Sequence, residues 1–164
     1  MNFFKKIYKY FALKNVNGLL AGPKKYEKKN KILRKCGFSI GKGTKIVGPI
    51  FVSANLIIGD NCFIGRNFSA EGNGTITIGD NVDIAPNVVI STGSHFIGDS
   101  RRRAGEGITK NIHIGTGTWL CNSCVVFDDV GHGCVVGAGS LVLHKTKNDV
   151  LLVGQPAVIK RVLE

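Results

Sequence analysis

The sequence predicts an all-β protein folded as a parallel β-helix of hexapeptide repeats, with about five coils. Aliphatic residues followed by small residues recur at a spacing of six, and such a fixed short period is typical of a solenoid. Glycine is abundant, with 22 of 164 residues, roughly twice the background of about 7%. Val and Ile, which favour strands, fill the positions between these glycines. Short strands joined by tight corners account for this combination.

The repeat itself indicates which side chains form the core. Each hexapeptide supplies one strand and one corner, and three of them close a triangular coil of about 18 residues. The first, aliphatic position should point inward: Ile40, Ile46, Ile58, Ile64, Ile78, Ile84, Ile90, Ile114, Leu120, Val130, Val136 and Val142. The fifth position should also point inward and stay small: Thr44, Cys62, Val82, Val88, Ser94, Thr118, Cys124, Cys134 and Ser140.

Three interruptions divide the predicted β-helix, which spans residues 39–150. Two extra residues lie near Ile76, and two residues are missing within residues 126–129. The third interruption, residues 96–113, is as long as one full coil and therefore leaves the register unchanged. Because Arg103-Ala104 does not fit the aliphatic-small pattern, this segment is predicted to be an extruded loop.

Residues 1–38 are predicted to form a basic, amphipathic helical arm. Residues 1–35 contain eleven of the 22 Lys and Arg residues and a single acid, Glu27. Apolar residues recur at helical spacing while lysines face elsewhere; they are Phe3, Phe4, Ile7, Tyr8 and Phe11, with Lys5, Lys6 and Lys9 opposite. Two interpretations stay open: a helix covering the end of the β-helix, or a helix lying on an anionic membrane surface. Nucleic acid is not expected as a partner, because no aromatic-rich recognition motif accompanies the charge.

The remaining segments indicate a cytoplasmic protein without a metal site. Lysines interrupt the apolar start, so neither a signal peptide nor a membrane span is expected. The five cysteines have no disulfide-framework spacing, and three of them share the inward fifth position. Buried small side chains therefore explain Cys121 and Cys124 better than half of a zinc site does. In residues 151–164 we expect a turn at Gly154-Gln155-Pro156 and then a short helix.

Polar residues near the long interruption are the candidates for a functional site. His95 occupies a sixth position beside the predicted loop, whereas His113, His132 and His144 lie in polar positions typical of solvated side chains. Asp83 and Trp119 fall at the same type of corner on successive coils. The His95 corner of one chain would point away from them, so only chains packed side by side could form a composite cleft.

Three consecutive arginines, Arg101, Arg102 and Arg103, follow within the loop. They fit either a solvated loop tip or a clamp for a phosphate or an acidic sugar.

Four segments, together with the hexapeptide register, resemble a known family. They are STGSH at 91–95, IGTGTWL at 114–120, VVGAGSLV at 135–142 and VGQPAVIKR at 153–161. In combination they resemble the left-handed β-helix, or hexapeptide-repeat, acetyltransferases, and most of all the maltose/galactoside and polysaccharide O-acetyltransferase branch. The resemblance covers about residues 40–161. It implies a left-handed coil, a homotrimer with active sites between subunits, and acetyl-CoA as co-substrate.

The resemblance also implies roles for individual residues. His95 matches the catalytic histidine, and Trp119 matches the tryptophan lining the pantetheine channel. Asn122, Ala138 and Gly139 fall where coenzyme A runs along the coils. Arg161, with the neighbouring Lys160, falls near the nucleotide phosphates.

The acceptor side departs from the family pattern. Asp83 stands where the galactoside enzymes usually have an apolar residue. An acceptor-binding asparagine of that branch aligns at Gly65, with Asn67 nearby. Asp83, Asn67 and the three arginines are therefore the substrate-binding candidates. Because the arm is shorter than in the sugar acetyltransferases, their substrate contacts there cannot be transferred, and the two-residue shortening at Phe127-Asp128 is expected to reshape the coenzyme groove.

The expected function is acetyl-CoA-dependent O-acetylation of a sugar hydroxyl in a surface polysaccharide or its precursor. His95 would act as general base in a ternary complex, in the cytoplasm, with the arm at the inner membrane face. A small xenobiotic, a free sugar or a nucleotide amino sugar are alternative acceptors. A non-catalytic β-helical scaffold is the alternative to an enzyme.

Overall fold

A computed structural model describes residues 3–164, and within them two helices precede eighteen strands. The helices are α1 (Phe3–Asn17) and α2 (Tyr26–Lys35). Sixteen of the strands form three faces of a prism, and the chain visits the faces in turn. Face 1 consists of β1 (Ser39–Ile40), β4 (Asn55–Ile58), β7 (Thr75–Ile78) and β12 (Ile112–Ile114).

The other two faces complete each coil. Face 2 consists of β2 (Lys45–Ile46), β5 (Phe63–Ile64), β8 (Asp83–Ile84), β13 (Trp119–Leu120), β15 (Val135–Val136), β17 (Val150–Val153) and β18 (Val158–Val162). Face 3 consists of β3 (Ile50–Val52), β6 (Phe68–Glu71), β9 (Val89–Ser91), β14 (Val125–Val126) and β16 (Leu141–Val142). Adjacent coils pair in parallel, as expected for a parallel β-helix. The helix is left-handed and has about six turns, one more than predicted.

The inward positions form one continuous core, as the period of six predicted. Every aliphatic first-position residue named above is buried, with at most 7% of its surface exposed. Every named fifth-position residue is also buried except Ser94, which is exposed. Since these two positions repeat on every coil, their side chains stack in columns along the axis of the prism.

The strand register locates the interruptions. Ile40 pairs with Ile58, one regular coil further along the chain, whereas Ile58 pairs with Ile78, which lies one coil and two extra residues further on. Ile78 pairs with Ile114 at a distance of two regular coils, so the long insertion is register-neutral, as predicted. Leu120 pairs with Val136 although the coil between them is two residues short of the regular length.

The predicted loop 96–113 is a β-hairpin with different boundaries. β10 (Gly93–Ile97) pairs antiparallel with β11 (Ala104–Thr109), so the chain leaves the coil before His95. This overturns the inward assignment of Ser94, and Thr92 is the last buried residue before the hairpin. At the other end, Ile112 and His113 already belong to face 1. The antiparallel ladder supplies backbone hydrogen-bond partners that an irregular loop would lack.

The N-terminal helices contact the first coils. α2 lies against β1 and β2 and buries Leu33, while α1 buries Ala12 and Val16 and contacts α2. The Asn17 amide nitrogen donates to the Ile50 carbonyl, and its oxygen accepts from the Ile50 N–H. The described part of the arm therefore covers the end of the β-helix, as one of the two interpretations expected.

Part of the predicted apolar face lies outside the described residues. This applies to the side chains of Phe3 and Phe4, and to those of Lys5, Lys6 and Lys9 on the basic side. Among the described residues, no helix is both long and apolar enough to cross a membrane.

The C-terminal segment corrects a second expectation. The turn at Gly154-Gln155-Pro156 is present, but β18 follows it instead of a short helix. β18 pairs antiparallel with β17, which would otherwise present an open sheet edge at the end of face 2. The β-branched residues Val158, Ile159 and Val162 suit this strand better than a helix.

Candidate active site

His95 lies exposed on the first strand of the hairpin, where its ring is held by one hydrogen bond. Its Nδ1 lies 2.9 Å from the carbonyl oxygen of Gly105, on the returning strand. A carbonyl oxygen only accepts hydrogen bonds, so Nδ1 must carry the proton. In the neutral ring, Nε2 then keeps an unprotonated lone pair directed away from that contact. The imidazole is therefore oriented as a general base.

The arginines form the tip of the same hairpin and differ in their contacts. Arg101 pairs with Asp99 at 3.1 Å, and Arg103 donates to the Gly98 carbonyl at 3.2 Å. The Asp99 carboxylate also accepts from the Arg101 and Arg102 backbone N–H groups. The Arg101 side chain and then these N–H groups lower the pKa of Asp99. Within residues 3–164, only Arg102 of the three has a guanidinium without a hydrogen bond or ion pair to the protein.

Face 2 brings three predicted site residues into one outward-facing row. Asp83 and Trp119 are direct ladder partners, which confirms that they share a position on successive coils. Trp119 then pairs with Val135, Val135 with Leu151, and Leu151 with Arg161 of β18. Directly paired residues project from the same side of a sheet. With strands about 4.8 Å apart, four such steps put Arg161 roughly 19 Å from Asp83.

The corner between faces 2 and 3 collects Asn122, Ala138 and Gly139. The Gly139 N–H donates to the Asn122 carbonyl at 2.9 Å, so these residues lie on adjacent coils. Gly139 has a positive φ of 68°, and a Cβ there would meet no atom within 4 Å. This corner lies next to the row of face 2, and the surface beside Gly139 is open.

Asn67 occupies an equivalent corner three coils before Gly139. Its amide nitrogen donates to the Asn87 side-chain oxygen at 3.0 Å, and both asparagines have positive φ. Asparagine tolerates this conformation better than most residues. Asn67 thus has a structural function at the corner, and it lies apart from the His95 hairpin.

The topology separates the hairpin from the row of face 2. The hairpin leaves between face 3 (β9) and face 1 (β12), at the corner opposite face 2. In one chain His95 consequently projects away from Trp119 and Arg161.

A cleft of about 330 Å³ lies at the base of the hairpin. Its lining is mainly apolar, with Ile108, Phe127 and Leu143, and includes Ser94 and Lys110. Side chains alternate along a strand, so Ser94 lies on the opposite side of β10 from His95. Sequence reasoning missed Ile108, Lys110 and Leu143, because nothing in the repeat relates the hairpin to face 3.

Three of the five cysteines belong to the core, whereas Cys36 and Cys121 are only partly buried. This corrects the expectation that Cys121 is a buried side chain like Cys124. Cys62, Cys124 and Cys134 are fully buried, and burial raises the pKa of Cys124 to about 12. Among residues 3–164, no group of three or more His, Cys, Asp or Glu side chains is arranged to hold a metal ion.

The side chains of the other three histidines are exposed. His132 Nδ1 is 3.4 Å from the Asp149 carboxylate. His113 extends from β12 on face 1, and His144 follows β16 on face 3.

A parallel β-helix of hexapeptide coils with an exposed imidazole on an extruded hairpin fits the hexapeptide-repeat class of acetyltransferases. Comparison with known proteins supports this class. The chain is 34% identical over 147 residues to the galactoside O-acetyltransferase of Escherichia coli, covering 85% of the chain and 70% of the relative. It therefore belongs to the galactoside O-acetyltransferase family and is an acetyltransferase.

Two further relatives extend the comparison. The acetyltransferase WcaF of Escherichia coli, whose name assigns it provisionally to colanic acid biosynthesis, is 33% identical over 137 residues, covering 79% of the chain and 72% of WcaF. A solved galactoside acetyltransferase in complex with coenzyme A superposes with a TM-score of 0.83 at 27% identity, covering 98% of this chain and 81% of that one. No family model matches the chain.

Proposed function

We propose that this protein transfers the acetyl group of acetyl-CoA to a hydroxyl group of a sugar, with His95 as general base. The observation that carries the proposal is the Nδ1 contact to the Gly105 carbonyl, which leaves Nε2 available to take a proton. Galactoside acetyltransferases among the relatives support the sugar acceptor, and the coenzyme A complex supports the donor.

The chemistry needs only this base and a well-placed thioester. Nε2 of His95 takes the hydroxyl proton while the sugar oxygen attacks the carbonyl carbon of acetyl-CoA. The carbon–sulfur bond then breaks, and the departing coenzyme A sulfur takes from the imidazolium the proton that came from the sugar hydroxyl, which leaves free coenzyme A and the acetylated sugar. General-base help of this kind contributes about 10²–10⁴-fold, and holding the two reactants about 3–3.5 Å apart contributes further.

The row of face 2 is the proposed site for coenzyme A. Trp119 would line the pantetheine arm, with Asn122, Ala138 and Gly139 along the neighbouring corner. Arg161 and Lys160 are exposed at the far end and would meet the phosphates. The span of roughly 19 Å, from four strand steps, suits an extended pantetheine with a nucleotide at its basic end.

A homotrimer would complete the site. Because the hairpin leaves the corner opposite face 2, a neighbouring chain must supply either His95 or the coenzyme A row. Exposed apolar side chains on both elements favour such a contact: Phe96 and Ile97 on the hairpin, and Phe63 and Trp119 on face 2. Closed rotational symmetry with three chains would give three equivalent sites.

The acceptor would bind between the hairpin and Asp83 of the neighbouring chain. Arg102 is the arginine best placed to bind an anionic acceptor, because Arg101 and Arg103 already bond within the hairpin tip. Asn67 stays the weakest of the substrate-binding candidates, since its side chain already bonds to Asn87.

Resemblance to WcaF supports a surface polysaccharide or its precursor as acceptor. The galactoside enzymes favour a free sugar instead. An acceptor screen that follows thiol release from acetyl-CoA, with glycans, free sugars, nucleotide amino sugars and antibiotics, separates these acceptors.

Substitution of His95 tests the catalytic assignment. We expect His95→Ala to lower kcat by about 10²–10⁴-fold, because the hydroxyl loses its proton acceptor. Coenzyme A binding, measured by calorimetry, should stay unchanged, since His95 lies outside the row of face 2. An unaltered kcat in His95→Ala would refute the assignment.

The N-terminal arm is proposed to hold a cytoplasmic enzyme at the anionic inner face of the membrane. α1 exposes Tyr8, Tyr10 and Phe11, and Leu19 after the helix is 91% exposed. With eleven Lys and Arg in residues 1–35, this surface combines apolar insertion with attraction to acidic lipids.

Vesicle binding tests the arm. Wild-type protein should co-sediment with vesicles containing phosphatidylglycerol and much less with pure phosphatidylcholine, because the lysines require negative charge. A Phe11→Ser/Leu19→Ser variant should lose most of this binding. The control Val162→Ser, which removes an apolar side chain that is 73% exposed on β18, should retain it. Equal binding by all three proteins would contradict the proposal.

A further inference from the structure

Thr92 is the last residue of the coil before the hairpin, and each of its polar groups is hydrogen-bonded. Its side chain is buried, with 2% exposed. The hydroxyl donates to the Glu71 carbonyl at 2.9 Å and accepts from the Gly74 N–H at 3.0 Å. Its backbone N–H also donates to Glu71, and its carbonyl accepts from the Lys110 N–H at 2.9 Å. Thr92 thus links the outgoing strand, the returning strand and the coil below.

The loop below Thr92 contains the two extra residues of the preceding coil. Val52 pairs with Ala70, one regular coil further on, but Asn55 pairs with Thr75, one coil and two extra residues further on. The insertion therefore lies in Gly72-Asn73-Gly74. This loop fits closely beneath the hairpin. A Cβ on Gly72 would overlap the Thr92 hydroxyl, and a Cβ on Gly74 would overlap the Lys110 carbonyl.

The loop is itself fixed to the coil beneath it. The Gly72 N–H donates to the Ser53 hydroxyl, and the Gly74 carbonyl accepts from the Asn55 N–H, both at 3.0 Å. The inserted loop therefore links the coil below to the base of the hairpin, so it fixes the hairpin relative to that coil.

A second tie holds the returning strand. The Lys110 ammonium lies 2.9 Å from the Asp128 carboxylate, in the segment where two residues are missing. Partial burial alone would raise the pKa of Asp128, but the bond to Lys110 and neighbouring groups lower it. The two irregular segments of the solenoid thus both contact the base of the hairpin.

We propose that Thr92 is a positioning residue for catalysis. Together with the Gly72-Asn73-Gly74 loop and the Lys110–Asp128 pair, Thr92 fixes the hairpin and therefore the position of the His95 imidazole. His95 follows Thr92 by three residues, and Gly105 on the returning strand of the hairpin holds its ring. A small tilt at the base therefore moves Nε2 relative to a substrate bound on the neighbouring subunit. Displacements of about 1 Å can cost about 10²-fold in rate. This inference rests on the proposed function of His95.

The chain contains a matched control for Thr92. Thr44 is also buried, with 1% exposed; its hydroxyl donates to the Gly59 carbonyl at 2.8 Å and accepts from the Cys62 N–H at 3.0 Å. It lies in the first coil, far from the hairpin. Thr92→Val and Thr44→Val remove equivalent hydrogen bonds and differ in what those bonds hold.

The experiment compares Thr92→Val, Thr92→Ser, Thr44→Val and His95→Ala in the full-length protein. We expect Thr92→Val to lower kcat by about 10- to 100-fold with the KM for acetyl-CoA within twofold, and to speed amide hydrogen exchange in residues 93–109. Thr92→Ser, which keeps the hydroxyl, should restore both. Thr44→Val should lower Tm to a similar degree and leave kcat and hairpin exchange unchanged.

The outcomes separate the two proposals. If His95→Ala keeps the wild-type kcat, the proposed function fails. If His95→Ala is inactive but Thr92→Val matches Thr44→Val in kcat and in hairpin exchange, the positioning role of Thr92 is overturned. Should Thr92→Val not fold, Asp128→Asn provides a second test, with faster hairpin exchange and a lower kcat expected. An Asp128→Asn variant with wild-type kcat and wild-type hydrogen exchange in the hairpin would overturn the proposed positioning of the hairpin.

Discussion

Lysine side chains usually lie in solvent, but Lys29 is buried and has a structural function. Its side chain is fully buried in α2, and Nζ donates to the Gly22 carbonyl at 2.7 Å and the Val47 carbonyl at 3.0 Å. The ammonium also lies 4.8 Å from the centre of the Tyr26 ring. Burial lowers its pKa below the ordinary 10.5. Lys29 thereby joins the chain between the two helices to the segment directly after β2.

We expect Lys29→Met to destabilise the protein by about 1–3 kcal/mol, because two carbonyls lose their donor. The folded state has the lower Lys29 pKa, so the unfolded state binds more protons between that pKa and 10.5. Wild-type stability should therefore rise relative to the variant as pH increases through this interval. Urea unfolding of both proteins at pH 7 and pH 10 measures the difference, and a difference that shrinks at pH 10 would contradict the assignment.

Among the elements, β18 decides how the β-helix ends. It pairs with β17 from Val150↔Val162 to Val153↔Val158 and covers the last strand of face 2. An uncovered edge strand would present unpaired N–H and C=O groups to other molecules. The same strand places Arg161 in the row of face 2, so one element both closes the fold and supplies a candidate site residue.

Removal of residues 157–164 should therefore cause association through the edge of β17. We expect the truncated protein to form assemblies larger than those of the full-length chain, measured by light scattering after size-exclusion chromatography. Val162→Lys, which alters the surface of β18 but leaves the strand in place, is the control and should keep the full-length size. A truncated protein of unchanged assembly size would show that β18 does not protect this edge.

At the scale of the whole molecule, the corner opposite face 2 carries the hairpin with His95. A single chain therefore presents His95 and Trp119 on surfaces that point apart. The proposed trimer would bring together the hairpin of one chain and face 2 of the next.

Mixing two variants, each expected to be inactive, tests this shared site. His95→Ala and Trp119→Ala damage different surfaces, so mixed trimers would contain some sites with a wild-type hairpin and a wild-type face 2. With random assembly about one quarter of the sites are intact, and we expect about one quarter of wild-type activity. Unmixed variants are the controls. A mixture no more active than the unmixed variants would show that each chain forms its own site.

The repeat allowed much of this arrangement to be predicted from sequence. A period of six requires that first- and fifth-position side chains point inward, and counting hexapeptides placed Asp83 beside Trp119. His95 and Trp119 also came from segments that resemble a known family. The roles of these site residues stay predictions until the variants are measured.

Other features could not be read from local pattern. Ser94 and His95 fit the hexapeptide register, yet they pair with Ile108 and Gly107 of the hairpin. Local residues do not indicate which ladder a strand joins. The β-branched residues Val158, Ile159 and Val162 favour a strand, but only the open edge of β17 supplies the partner with which that strand pairs.

By itself, then, the sequence determined the coil, its inward residues and the candidate base, because each depends on periodicity or on short segments of the chain. The tertiary structure decided the start of the hairpin, its attachment at Thr92 and the burial of Lys29. Each of these depends on hydrogen-bond partners that are distant in sequence: the Glu71 carbonyl and the Gly74 N–H for Thr92, and the Val47 carbonyl for Lys29. Corners and insertions leave backbone N–H and C=O groups without partners in their own strand. These groups find partners only in neighbouring coils, so the stacked structure decides where the chain leaves the repeat.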